Sequence, residues 1–314
     1  MTSYPGSHGP PPEPGAESQP PRPAFKLQDF IILKTLGQGS TRYVSATRLV
    51  KHKPTKTIMA MKVCAYGIRR HERQELLNDL VSMHTCRSEY VVSIYGVFYQ
   101  NPDVAICMEL MDKGSMRQIV EATGPLDLGV IRTVAFSILS GLVYLYDAHG
   151  IVYGDLKPTN ILCNSKGEIK LGDFSHSMSR WIEEGITASD EGAFLYYMSP
   201  ERTSLEHVSP TLKSDVWSLG IIAIELAHGE YPMSQYHTDG NNGITFLNFA
   251  IAISTKAAPK LLPEGRDPSA EAFIDACLLK DPNTRPLPNE LLTHEWIERS
   301  KDYNTDMEAW ANSF

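Results

Sequence analysis

Much is set by what the chain lacks. Its five cysteines, Cys64, Cys86, Cys107, Cys163 and Cys277, are an odd count, and no two stand in a Cys-x-x-Cys spacing. Neither a disulfide framework nor a zinc site is expected from them, and a reducing compartment, the cytoplasm, is the expected location. A basic excess is missing too: 29 Lys plus Arg stand against 37 Asp plus Glu, a net charge of −8. A dedicated nucleic-acid binder usually carries the opposite balance, so no nucleic-acid partner is expected. A single nucleotide is not excluded, because it needs only local positive charge. No signal-peptide core opens the sequence. The longest uncharged apolar stretch, 133–146, lies between Arg132 and Asp147. It falls short of the roughly 20 residues that cross a bilayer, so it reads as a buried helix and no membrane partner is expected.

Large apolar residues are also almost absent from residues 1–24, Tyr4 apart, while Pro, Gly and Ser abound. Such a segment buries too little surface to offset its ordering entropy and is expected to be a disordered tail. Pro11 to Pro14 and Pro20 to Pro23 have PxxP spacing, although a solubilising tail is the plainer reading.

From Phe30 the pattern changes. Residues 30–33, 43–47, 57–65, 91–98 and 103–110 read as strands, and 70–84 as a helix with Leu76, Leu77, Leu80 and Met83 on one face. After Gly114 the pattern is mainly helical, with helices expected over 115–122, 127–148, 213–229, 244–254, 269–280 and 287–299. Strands followed by helices predict an α+β chain of two segregated lobes. The expected domain is 28–299, with an N-lobe over 28–111, a C-lobe over 112–299 and a tail over 300–314.

Three stretches carry chemistry. Leu36-Gly37-Gln38-Gly39, followed by Val44, lies between two expected strands. Glycines let a backbone approach phosphate oxygens with no Cβ in the way. A glycine hairpin alone would look similar, but the strand-to-strand setting disfavours a Rossmann site. Ala60-Met61-Lys62-Val63 places a lysine inside an apolar strand, which is costly unless the charge is paired. The third stretch is Ile151-Val152-Tyr153-Gly154-Asp155-Leu156-Lys157-Pro158-Thr159-Asn160, followed by Ile161-Leu162 and by Asp173-Phe174-Ser175.

Together these resemble the glycine loop, Val-Ala-Ile-Lys strand, catalytic loop and Asp-Phe-Gly motif of eukaryotic protein kinases. The resemblance covers about residues 28–299 and implies a bilobal kinase fold that uses ATP and Mg²⁺. It implies that Lys62 holds nucleotide phosphates with a carboxylate partner at Asp79. It implies that Asp155 accepts the substrate hydroxyl proton, that Lys157 sits near the γ-phosphate, and that Asn160 and Asp173 supply hard oxygen ligands for Mg²⁺. Leu36, Gly37, Gly39, Val44, Ala60, Met108, Glu109, Met111 and Leu162 are implied to line the nucleotide site, with Met108 as gatekeeper and the Met111 backbone on adenine. Ser199-Pro200-Glu201 resembles the close of an activation segment. Asp215 is implied to brace the catalytic loop, and Arg285 to pair with Glu201.

Asp-Leu-Lys-Pro-Thr-Asn is the serine/threonine form. Met-Ser-Pro-Glu-Arg over 198–202 and Cys-Leu-Leu-Lys-Asp-Pro over 277–282 look most like a MAP kinase kinase, which implies a protein substrate such as a MAP kinase. Residues 303–310 resemble the segment by which such kinases dock their activating kinase; a frayed acidic tail with one packed tryptophan reads equally well. No basic-then-apolar docking motif for a MAP kinase stands in the N-terminal tail.

The sequence also departs from the family. Arg42 replaces the third glycine, Tyr153 the histidine and Gly154 the arginine of the catalytic loop. Ser175 replaces the glycine of Asp-Phe-Gly, and Phe194 stands where a threonine is usual. The losses fall on regulation and peptide positioning rather than on ATP or metal. They imply that phosphorylation of Thr187 or Ser189 does not act through the usual arginine, with Asp190 and Glu191 as candidates for a standing negative charge. An active kinase and a nucleotide-binding scaffold without turnover both follow from such a sequence.

Overall fold

The computed structural model describes residues 25–38, 44–64, 85–100, 103–172, 195–203, 209–233, 246–263, 267–299 and 305–314. The first strands are β1 (Phe30–Gln38), β2 (Val44–His52), β3 (Ile58–Cys64), β4 (Ile94–Gln100) and β5 (Asp103–Met108). They form one antiparallel sheet in the order β1-β2-β3-β5-β4. β3 is central, and every residue after Ile58 is buried, which is why it reads as a nearly continuous apolar run instead of an alternating one. One face carries Phe30, Val50, Met59, Met61, Val63, Phe98, Ala105 and Cys107 as a small core. Cys64, Val104 and Ile106 join the main core.

β1 and β2 run longer than the sequence pattern suggests. The first glycine extends β1 instead of ending it: Gly37 pairs with Thr47, with register shifts on either side of Lys34 and Thr35 that let the ladder bend. The expected helix over 70–84 lies outside the described residues.

A second, small sheet joins β6 (Gly114–Ser115), β7 (Ile161–Cys163) and β8 (Ile169–Leu171). α1 (Met116–Thr123) and α2 (Leu128–His149) pack on it, α3 (Leu212–His228) packs on α2, α4 (Phe246–Thr255) against the turns at 195–203, and α5 (Pro268–Cys277) on α3. Side-chain caps start the four whose preceding residue is described. Ser115 and Gln118 form a capping box on α1, Thr211 and Ser214 another on α3, and Asp127 and Asp267 cap α2 and α5. α2 has 22 residues and is apolar enough to cross a membrane by length and composition, but 61% of its most apolar window is buried inside the protein. The short run seen in sequence is thus the middle of a longer core helix. The expected helix over 287–299 is two short ones, α6 (Pro288–Leu291) and α7 (Glu295–Glu298). His294 interrupts them, with Nδ1 accepting the Trp296 N–H at 3.2 Å.

Residues 305–314 are neither frayed nor free. α8 (Met307–Ala311) is capped by Asp306, Ala311 is fully buried, and Met307 and Trp310 pack against the main core. The Asn312 amide donates to the Ser165 carbonyl at 2.8 Å. Lys113 donates to the Phe314 carbonyl at 2.9 Å and lies over its ring.

Candidate functional site

The chain leaves α2 at His149 and reaches Asp155 without a strand, and burial fixes the loop. Tyr153 is fully buried, and its hydroxyl donates to the Gly172 carbonyl. Gly154 has φ +73°, and a Cβ there would sit 2.9 Å from the Cβ of Pro210. The position therefore demands glycine on two counts, a left-handed backbone and a filled space. Its N–H donates to Oδ1 of Asp215, near the start of α3, at 2.9 Å. Its carbonyl accepts from Arg202 Nη1 at 3.0 Å.

Asp155 is buried, with side-chain exposure of only 3%. Lys157 Nζ lies 2.8 Å from its Oδ2 and 3.0 Å from its Oδ1. Asn160 Nδ2 donates to the Asp155 carbonyl and to its Oδ2, both at 2.9 Å. The loop thus folds back on its own carboxylate. With its nitrogen so engaged, Asn160 presents the amide oxygen as the acceptor for a cation, the hard donor that Mg²⁺ prefers. Gly172, the last described residue before Asp173, donates its N–H to the Asn160 carbonyl at 2.8 Å. The Asn160 amide oxygen is of the kind a magnesium ion takes, and Asp173, the other expected ligand, follows directly on Gly172 outside the described residues.

Asp215 is wholly buried. Burial pushes its carboxyl up to about 7 against the opposing pull of the Gly154 N–H, the Arg202 guanidinium and the Tyr153 N–H; neighbouring Asp155 adds to the rise. Arg202 is lowered by burial, and Asp215, Asp155 and Glu201 act to hold its charge.

Lys62 is buried in β3, with Thr47 of β2 and Ile106 of β5 beside it in register. Ala60 stands opposite Met108 of β5, so these two expected nucleotide neighbours are adjacent. Val44 pairs with Cys64 at the far end of β2. Leu36 lies on β1 one residue before Gly37, and Leu162 lies on β7 against Gly172, where a Cβ would come within 2.7 Å of its side chain. The hinge is tied at both ends: Glu109 N–H donates to the Ser93 carbonyl at 2.9 Å, and Gly114 N–H to the Met111 carbonyl at 3.1 Å. Gly39, Asp79 and Asp173 lie outside the described residues, as do Arg42, Ser175, Thr187, Ser189, Asp190, Glu191 and Phe194.

Three links were not read from sequence. Lys170 in β8 pairs with hinge Glu109 at 2.7 Å, and the other Glu109 oxygen accepts the Ser93 N–H at 3.2 Å. A lysine in the buried run Ile169-Lys170-Leu171 was the available signal, since such a charge requires a partner. The other two are Tyr153 to Gly172 and Arg202 to Gly154. The two expected braces are present: Asp215 holds the catalytic loop, and Arg285 grips Glu201 at 2.8 and 3.0 Å.

The family model described as the protein kinase domain matches residues 30–297. A mitogen-activated protein kinase kinase, MST7, of Pyricularia oryzae is 38% identical over 91% of this chain and 69% of its own length. The dual specificity protein kinase FUZ7 of Mycosarcoma maydis is 33% identical over 92% of this chain and 76% of its own. The dual specificity mitogen-activated protein kinase kinase dSOR1 of Drosophila melanogaster is 32% identical over 90% and 74%. The chain therefore belongs to the protein kinase family and, within it, is a phosphotransferase of the MAP kinase kinase type.

Proposed function

We propose that Lys62, Asp155, Asn160 and Asp173 are the phosphoryl-transfer set of this kinase, and that its substrate is a MAP kinase. The carrying observation is the closed cluster of Asp155, Lys157 and Asn160 anchored to buried Asp215 through Gly154. Phosphoryl transfer asks a protein mainly for positioning and for charge placed where it develops. Asp155 orients a substrate hydroxyl and takes its proton. Lys157, already on that carboxylate, adds positive charge beside the transferred group. Lys62 supplies a buried cation for nucleotide phosphates, while Leu36, Gly37, Ala60, Met108, Met111 and Leu162 shape the nucleotide pocket. Mg²⁺, when held by Asn160 and Asp173, neutralises phosphate charge.

The relatives named as MAP kinase kinases support the substrate class. Acidic Asp306 and Glu308 are exposed on the seated C-terminal segment, which supports the reading of 303–310 as a face for an activating kinase. A cytoplasmic location accords with five cysteines that are all free and buried.

The test is transfer from Mg-ATP to a panel of purified MAP kinases, with phosphorylation mapped on the product. Asp155→Asn should lose roughly 100- to 10,000-fold in rate, the range for removal of a positioned base. Equal transfer by both proteins would defeat the assignment. Separately, Lys62→Met should lose the rise in melting temperature that Mg-ATP gives the parent.

A further inference from the structure

The catalytic loop has lost the arginine that such kinases carry before the base, yet a cation stands at that place. It arrives from a different part of the chain. Arg202 lies in the single-turn helix Pro200–Thr203 and donates through Nη1 to the carbonyl of Gly154, the residue immediately before Asp155. Gly154 is gripped from its other side by Asp215. One peptide group on each flank of Gly154 is thus held, one by a carboxylate and one by a guanidinium. No side chain at position 154 could do this, because Pro210 fills the space its Cβ would need.

The support of Arg202 is itself firm. Its neighbour Glu201 is clamped by Arg285, which is fully buried and also donates to the carbonyls of Leu279 and Lys213. Arg202 N–H donates to the Ser199 carbonyl at 3.0 Å, closing the turn. The guanidinium is therefore delivered from a rigid base.

We propose that Arg202 is a positioning residue for the phosphoryl-transfer step: it fixes the Gly154 carbonyl, and its charge balances the adjacent carboxylates Asp155 and Asp215, replacing from the end of the activation segment the cation that position 154 cannot carry. This inference rests on the reading of Asp155 as the base. Its consequence is that loop geometry is held by an internal arginine present in every molecule, and not by a charge that must be added.

The charged groups facing Arg202 among the described residues are Asp215 from α3, Asp155 from the catalytic loop and Glu201 beside it; Lys157 faces the same Asp155. Removing the guanidinium takes away a group that favours ionised Asp215. Protonated Asp215 accepts less strongly from the Gly154 N–H, so the acidic limb of the rate profile should move to higher pH.

The experiment compares full-length wild type, Arg202→Gln, Arg202→Lys and Asp155→Asn in steady-state transfer across pH 5.5 to 9, an interval chosen to span about neutrality. Arg202→Gln should lower kcat by roughly 10- to 100-fold, the cost of a small misplacement of a catalytic group. Its KM for Mg-ATP and its nucleotide-induced melting shift should stay as in wild type. Its acidic limb should shift upward by roughly one pH unit, and Arg202→Lys should restore much of both. An unchanged kcat and pH profile in Arg202→Gln overturns the inference, as does an Arg202→Lys enzyme no better than Arg202→Gln. Should Arg202→Gln fail to fold, Arg202→Lys decides alone: folded with a wild-type rate and profile it supports the charge role, and folded but equal to Asp155→Asn it refutes it. If wild type and Asp155→Asn turn over alike, the reading of the base fails instead.

Discussion

Arg285 and Glu201 face each other across 84 residues of sequence, with each terminal guanidinium nitrogen donating to one carboxylate oxygen, at 2.8 and 3.0 Å. Arg285 is wholly buried and its guanidinium lies 5.2 Å from the Trp217 ring centre. Removing one partner of such a pair leaves the other charge buried and uncompensated, so Arg285→Ala should cost about 3–5 kcal/mol in urea unfolding. The pair has a pH signature. Burial alone would raise Glu201, but the bond and charge of Arg285 outweigh it and hold the carboxyl below its ordinary 4.5. Because the folded value is the lower one, this stabilisation is complete above the unfolded value and fades as pH falls through the folded one. The stability gap between wild type and Glu201→Gln should therefore be constant near neutrality and close in acid.

Gly154→Arg restores the family residue in sequence but should not restore its role. The left-handed φ costs a non-glycine residue roughly 1–2 kcal/mol, and the Cβ meets Pro210. We expect a lower melting temperature and a lower kcat than wild type. A gain in either would show that the loop can adopt another path.

Tyr153→Phe removes one hydroxyl and leaves the Gly172 carbonyl without that donor. An unmade buried bond costs about 1–3 kcal/mol. Gly172 immediately precedes Asp173, so the loss should also raise the KM for Mg-ATP, measured against free Mg²⁺ at fixed ATP. A stability loss with unchanged magnesium dependence would mean that the bond serves folding alone.

The five thiols supply a chemical check. All are buried, and burial alone pushes Cys107 up to about 12; Cys163 also reaches about 12, mainly through burial. A thiol that stays protonated is a poor nucleophile. Native protein should react slowly with a thiol reagent at pH 8, and unfolding in urea should release five equivalents.

Local rules made much of this molecule legible. The helices expected from 115, 127, 213 and 269 begin within three residues of the observed starts, where Ser115, Asp127, Thr211 and Asp267 cap backbone N–H groups nearby in sequence. The loop from Asp155 to Asn160 is legible by its resemblance to the kinase catalytic loop, and the structure adds that Asn160 folds back on Asp155 across five residues. What stayed hidden depends on distant partners. Nothing near Gly154 tells that Pro210 blocks it or that Arg202, 48 residues away, bonds its carbonyl. Lys170 and Glu109 meet over 61 residues of sequence, a contact between β8 and the hinge that no local pattern announces. The split at His294 breaks the helical apolar spacing of 287–299 through a local cap, the His294 side chain on the Trp296 N–H, that the spacing alone does not show.

Gly167 should report on the C-terminal segment. It has φ +76°, and a Cβ there would run into the backbone of Met307 at the start of α8. Backbone cannot swing aside as a side chain can, so Gly167→Ala should lift residues 305–314 from the lobe. The bond from Asn312 to Ser165 and the contact of Lys113 with Phe314 should then be lost together. Amide exchange in 305–314 is expected to speed up, while exchange in α2 and the melting shift with Mg-ATP stay near wild type, because the segment is tied to the lobe through Ser165 and Lys113 and not through the proposed nucleotide residues. Lys113→Ala removes only the Phe314 tether and should loosen the segment less. If Gly167→Ala instead slowed nucleotide binding, the seated segment would be supporting the hinge, since Lys113 follows Met111 by two residues and its N–H bonds the Cys163 carbonyl of β7.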